Sequence, residues 1–434
     1  MTKSGLPIHT QMIIAIAAVK KACAIANWHA GLLSGKKKDA IVKACRMIMK
    51  GKYHASFVTD AIQGGAGTSM NMNANEVIAN LALEILGEEK GNYKIVSPTD
   101  DVNMGQSTND VIPTAGKIAT IRLLAELDKQ LLRLIDSFDR KAAEFDNVLK
   151  MGRTQLEDAV PIRLGQEFHA YATATRRCRK RIRQFSTEMH VVNLGGTAIG
   201  TGINADLQYE ASVVPTLSKV THISLKQAED LIDATQNIDC FLAISGALKA
   251  CAVTLSKISN DLRLLSSGPR TGIAEINLPA RQNGSSIMPG KVNPVIPEVM
   301  NQIAFNIIGN DQAITMAAEA GQLELNAFEP VAFYNLFQSI ETLTNGIATL
   351  VDHCVDGITA NLDHCQQLVE NSIGTVTALA PYLGYQKSAE IAKKALATGE
   401  SIKSLVLKEN LMSQEQLDIV MDATRMTTPG ILGK

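Results

Sequence analysis

No glycine or proline interrupts the chain between Lys117 and Met151. Within that stretch Ile118, Ile121, Leu124, Leu127, Leu131 and Leu134 recur at spacings of three and four, the period of one helix face. Glu167–Leu194, Asp239–Ser266 and Pro330–Glu370 read the same way, with Gly246, Gly346 and Gly357 as tolerable interruptions, and Pro294–Ala318 reads as a further long helix with Pro at its start. A helix of such length cannot bury its apolar stripe alone, so these segments predict an extended bundle. Composition agrees: 46% of the 434 residues are hydrophobic but only 4% are aromatic, so the core is aliphatic and suits closely packed helices. No strand-like alternation of comparable strength occurs. Shorter amphipathic helices are expected at Thr10–His29 and Asp39–Lys50, and short helices around Gly384, Gly399 and Ser413 near the C-terminus. The expected organisation is all-α in three domains: residues 1–108, a central long-helix domain 109–363, and a small C-terminal domain 364–434.

Several function classes drop out on charge and patterning. The formal net charge of −1 gives no field to attract nucleic acid. Arg176, Arg177, Arg179, Lys180, Arg181 and Arg183 form a basic cluster, but it wraps around more than one helix face without interleaved aromatics and reads as a solvated or inter-subunit surface. The longest fully apolar run, Met12–Val19, is far short of the ~20 residues of a membrane span. The first residues lack a signal-peptide pattern. Seven scattered cysteines without a CxxC pair fit free thiols in a reducing cytoplasm, and no His/Cys spacing suggests a metal. No metal or cofactor is therefore expected.

Four polar islands lie between the helical stretches. They are Gly64–Asn73 (GGAGTSMNMN), Gly105–Asp110 (GQSTND), Gly152–Asp158 (GRTQLED) and Gly284–Pro294 (GSSIMPGKVNP). The first has glycines beside hydroxyl and amide donors, without the GK[ST] ending of a phosphate loop. The second places Ser107 and Thr108 at the head of the longest helix, where donors and helix dipole favour a carboxylate. The last joins Ser285 and Ser286 to Lys291 and Asn293 ahead of another helix start. Each alone is an ordinary cap or turn. Together they supply donors for a small dianion.

The segments GGAGTSMNMNANEV, QSTND, KMGRTQLEDAVP, LGGTAIGTGIN, GSSIMPGKVNP and AGQLELN resemble, in the same order, the successive blocks of aspartate ammonia-lyases within the fumarase/aspartase superfamily. The similarity runs from about Lys20 to Leu417. It implies release of fumarate by breaking a C–N or C–O bond. It implies Ser285 as general base, Thr68, Ser107, Thr108 and Ser286 around the reacting carboxylate, Lys291 and Asn293 on the other carboxylate, and Asn109, Thr154 and Gln155 around the amino group. It also implies a homotetramer with active sites shared between subunits. Fumarases carry Thr-His where this chain has Thr154-Gln155, and an amide cannot exchange a proton near neutrality. Glu298 matches the acidic partner of that His, which leaves it a structural role here. L-Aspartate is therefore the expected substrate. The alternatives are a fumarase or other fumarate-yielding lyase, and an inactive structural homologue. Two differences from the family pattern stand out: relatives usually begin with a longer segment that helps cover the site, and Ser97–Asn103 lacks the His residues that many carry.

Overall fold

The computed structural model describes residues 4–434. By contacts the chain forms two compact units, one of residues 1–130, 177–253 and 302–345, the other of 131–176, 254–301 and 346–434. The division at residues 108 and 363 follows helix length along the chain; contact clustering follows proximity, and the two cut the chain differently.

The first unit opens with α1 (Thr10–His29), which packs against α2 (Gly35–Met49) and α6 (Leu207–Thr221). Ala15 through Val19 have no exposed surface, because small residues let the neighbouring backbones come close. Ser34 caps α2, and Asp206 caps α6 through the Gln208 and Tyr209 N–H groups. Next comes α3 (Thr68–Leu86), stopped by Gly87 in the left-handed region. Then α4 (Thr108–Glu144) carries Pro113 in its second turn. A short β3 (Val191–Val192) pairs in parallel with β4 (Lys226–Gln227).

The second unit contains a hairpin that the sequence did not announce. The helix expected to reach Met151 ends at Glu144, and β1 (Leu149–Thr154) pairs antiparallel with β2 (Glu157–Arg163). A turn over Phe145–Val148 makes the break, closed by the Val148 N–H on the Phe145 carbonyl at 3.1 Å. The register shifts in a bulge at Gly152, where glycine is needed because a Cβ would sit 2.8 Å from the Val160 carbonyl oxygen. The segment read as one helix over 330–370 is two: α10 (Glu329–His353) and α11 (Leu362–Asn371). Between them Gly357 turns against Pro279, where any Cβ would clash at 2.5 Å, and β6 (Thr359–Ala360) pairs with β5 (Ile276–Asn277). The remaining long helices, α5 (Leu164–Ser186), α8 (Asp239–Leu265) and α9 (Val295–Glu319), have residues in both units, and α7 (Asp233–Gln236) is a single turn of the first. Near the C-terminus α12 (Ala380–Leu383), α13 (Tyr385–Thr398), α14 (Ile402–Lys408) and α15 (Gln414–Val420) enclose a core of their own from Leu379 to Met421.

By length and hydropathy α1 and α8 would both suffice to cross a membrane, but 72% of the apolar window of α1 and 50% of that of α8 is buried inside the fold. Two members of the basic cluster on α5 are internal ion pairs: Arg179 with Asp128 at 2.7 and 2.9 Å, and Arg176 with Asp139.

Candidate active site

Ten residues were expected to form the site. Thr68, Ser107, Thr108 and Asn109 lie in the first unit; Thr154, Gln155, Ser285, Ser286, Lys291 and Asn293 lie in the second.

In the first unit, Ser107 and Thr108 line a cavity of about 380 Å³ with Asn71, Asn103, Gln106, Thr197 and Asn204. The Ser107 oxygen accepts the Asn109 N–H at 3.2 Å and the Thr108 oxygen accepts from the Asn71 amide at 3.2 Å. Both hydroxyls are thus engaged as acceptors, which leaves both protons to donate to a ligand. Asn109 gives its amide N–H to the Ala198 carbonyl at 2.7 Å, so its Oδ1 is the atom left to receive an ammonium. Thr68 is exposed at the head of α3. It donates to the Gly65 carbonyl at 2.7 Å, closing a loop in which Gly65, Ala66 and Gly67 all have positive φ. Glycine is required at 67, where a Cβ would also press Ile112 at 3.1 Å.

Beneath this surface lie groups that the sequence reading assigned no role. Asp110 is fully buried and accepts the N–H groups of Ser107, Gly195 and Thr197 at 3.0–3.1 Å, pinning the loop after β3 to the head of α4. Burial pushes its carboxyl up to about 6, against the pull of those donors and of Lys20. Lys20 is also fully buried, and its ammonium contacts Asn103 Oδ1 at 2.8 Å and Gln106 Oε1 at 2.9 Å. Burial draws it down to about 8, although Cys23, Asp110 and Cys45 favour the charged form. One signal was available: Lys20 breaks an otherwise apolar helix immediately after its longest apolar run.

In the second unit, Thr154 and Gln155 stand exposed at the hairpin tip. Gln155 and Leu156 both have positive φ (57° and 67°), the backbone of a two-residue turn that normally selects Asn or Gly. Backbone strain held at a tip carrying predicted ligands is what a functional position tolerates. Next to the tip Arg153 meets the buried Glu275 at 2.8 Å, and Lys150 bridges Glu275 at 3.0 Å and Glu167 at 2.9 Å. These ion pairs anchor the hairpin to α5 and to Glu275, the residue just before β5.

That loop closes on itself. Gly284 packs so tightly that a Cβ would lie 1.9 Å from the Lys291 carbonyl oxygen, and Asn293 donates to the Gly284 carbonyl at 3.0 Å. Within it the half-buried Ser285 oxygen accepts the N–H groups of Ile287 at 3.2 Å and Met288 at 3.0 Å. Two N–H donors converging on one serine oxygen stabilise it when ionised. Ser286 and Lys291 are exposed on the same loop, and Glu298 is half-buried in the first turn of α9. Among the described residues no cluster of three or more His, Cys, Asp or Glu has a metal-binding arrangement.

The comparisons decide the lineage. The lyase family model matches residues 3–309, and the fumarase C C-terminus model matches residues 376–428. The chain belongs to the fumarase/aspartase superfamily. It is 53% identical to the aspartate ammonia-lyase of Bacillus subtilis (strain 168) over 99% of this chain and 91% of that protein. Against the aspartate ammonia-lyase of Helicobacter pylori (strain J99) it is 51% identical, over 99% and 92%. Among solved structures it resembles the fumarate lyase:delta crystallin from Brucella melitensis bound to cobalt, with TM-score 0.96 and 49% identity over 99% of this chain and 94% of that one. It also resembles the recombinant class II fumarase from Schistosoma mansoni, with TM-score 0.95 and 34% identity over 98% and 92%. The superfamily fold is all-α with long bundled helices, as the helical periodicity predicted. Its members include both amine and water chemistry, so the substrate must be argued from the site.

Proposed function

We propose that this chain is an aspartate ammonia-lyase, converting L-aspartate reversibly to fumarate and ammonia. The observation that carries the proposal is the Ser285 oxygen held by the Ile287 and Met288 N–H groups on a loop bearing Lys291. The proton to be removed lies beside the side-chain carboxylate and is very weakly acidic. Taking it builds a second negative charge there, an enediolate-like species. Ionised Ser285 takes the proton, and Ser107, Thr108 and Ser286 receive the growing charge by donating hydrogen bonds, joined by Thr68 once its hydroxyl leaves the Gly65 carbonyl. Lys291 and the second amide hydrogen of Asn293 hold the other carboxylate. The C–N bond then breaks with its electron pair going to nitrogen, and ammonia leaves past Asn109, Thr154 and Gln155. No metal or cofactor enters this scheme.

Gln155 favours the amine over water as leaving group, because an amide can orient ammonia but cannot relay a proton. Relatives at 51–53% identity named aspartate ammonia-lyase support the same choice. The assembly we infer is a homotetramer with shared sites, supported by Phe305, Ile308 and Met316, which stand 64%, 41% and 64% exposed on α9. We also propose a soluble cytoplasmic protein, in keeping with seven cysteines that are all reduced and buried, and the three-part division 1–108, 109–363 and 364–434. Ultraviolet absorbance of fumarate formed from L-aspartate, with L-malate and other amino acids as controls, tests the function. Fumarate from L-aspartate alone is expected; fumarate from L-malate instead would replace the proposal with a fumarase.

A further inference from the structure

We propose that Lys20 is a positioning residue for the reacting carboxylate. Through Asn103 and Asn71 it sets the Thr108 hydroxyl to donate into the cavity. The inference rests on the reading of Ser107 and Thr108 as carboxylate ligands.

The chain of contacts has a direction. The Lys20 ammonium donates to Asn103 Oδ1 and Gln106 Oε1, so the oxygen ends of both amides must face it. Their nitrogen ends are also engaged: Asn103 donates to the Gln106 carbonyl at 3.1 Å, and Gln106 donates to the Val102 and Met104 carbonyls at 3.0 and 3.1 Å. Asn103 Oδ1 then accepts twice more, from Asn75 at 3.1 Å and from Asn71 at 3.2 Å. Asn71 must therefore point its nitrogen toward Asn103, and the same nitrogen reaches Thr108 Oγ1 at 3.2 Å. With that oxygen occupied as an acceptor, the Thr108 proton has the cavity as its outlet.

This arrangement has a cost, and the cost shows what holds it. Asn71 Oδ1 and Asn75 Oδ1 are buried without a hydrogen-bond partner. Rotating the Asn71 amide would let its oxygen take the Thr108 proton and end that loss, but would turn the oxygen toward Asn103 Oδ1. A charge-assisted bond from Lys20 polarises Asn103 Oδ1 and opposes the rotation. Lys20 itself has two neutral amide oxygens as its direct partners, with Asp110 acting on it without a direct bond, so an anion entering the cavity above adds to the stabilisation of its charge. That stabilisation grows as charge builds on the reacting carboxylate.

A double-mutant cycle of Lys20→Gln and Thr108→Val in the intact protein tests the relay, read in kcat/KM for fumarate amination and in succinate affinity. Thr108→Val alone is expected to lower kcat/KM about 10- to 150-fold, the loss of one charge-assisted hydrogen bond. Lys20→Gln should cost a similar factor, falling more on kcat than on succinate affinity. The double variant should be within about twofold of Thr108→Val alone. Losses that multiply would overturn the relay, as would a wild type that binds no succinate. If Lys20→Gln does not fold, Asn71→Leu replaces it in the cycle with the same expectation and the same contrary result. Coupling in succinate affinity without ammonia-lyase activity would keep the relay and remove the aspartate reading; activity without coupling would do the reverse.

Discussion

The cavity at the head of α4 and the Ser285 loop carry complementary halves of the proposed chemistry and are built in opposite ways. The cavity stands on a buried polar floor: Lys20, Asn71, Asn75 and Asp110 are all fully or almost fully buried, and each has fixed partners. The loop is half-buried at most, and Ile287 is 83% exposed. It owes its form to contacts within itself, chiefly the Gly284 backbone against the Lys291 carbonyl and under the Asn293 side-chain amide. Stabilising a developing dianion requires donors that do not reorganise, which a buried floor provides. Bringing a base to the substrate and then excluding water requires a segment that moves, which an exposed self-closed loop permits.

The sharpest way to break this contrast is Ser285→Ala. It should lower kcat by about 10²–10⁴-fold, the usual loss on removing a general base, while succinate affinity stays near wild type because the cavity is untouched. A variant that keeps more than roughly a tenth of kcat would show that another group takes the proton. Gly284→Ala should act next most strongly. Its Cβ would strike the Lys291 carbonyl at 1.9 Å, so the loop must open and misplace Ser285. A misplacement near 1 Å can cost about 10²-fold in rate. Because the loop is exposed, Tm should hardly change; a large fall in Tm would mean that the loop supports the core.

The smallest effect belongs to pH and concerns the floor. Lys20 is drawn down to about 8 in the fold from an ordinary value of 10.5, while Cys23 and Cys45 are pushed up to about 12 and Asp110 titrates near 6. Between pH 8 and 10.5 Lys20 is thus the member of this cluster that changes charge. In that window the unfolded chain binds the proton and the folded chain does not, so the contribution of Lys20 to stability rises with pH. Activity should move the other way as the cation is lost. Relative to Lys20→Gln, wild-type kcat/KM should fall above pH 8 while its Tm deficit shrinks. Parallel profiles for the two proteins would dissociate Lys20 from both.

The bundle was legible because a three-and-four spacing over long uninterrupted stretches leaves a chain few alternatives. The hairpin was not. Its turn uses Gln155 and Leu156 at positive φ where Asn or Gly would have announced it, and its strands contain Gly152 and Pro161. The half-buried donors, Ser107, Thr108 and Ser285, could be read from composition at helix heads and from the family resemblance. The floor beneath them could not, because Lys20 and Asn103 lie 83 residues apart and neither sits in a donor-rich island. Tertiary burial, which gives that pair its meaning, is not written in local sequence.

The most direct test of the account is the fate of fumarate. Incubated with ammonium it should yield L-aspartate, and in water without ammonium almost no L-malate, because Gln155 offers no proton relay to activate water. Malate formed faster than aspartate under matched conditions would contradict the account and assign the site to hydration.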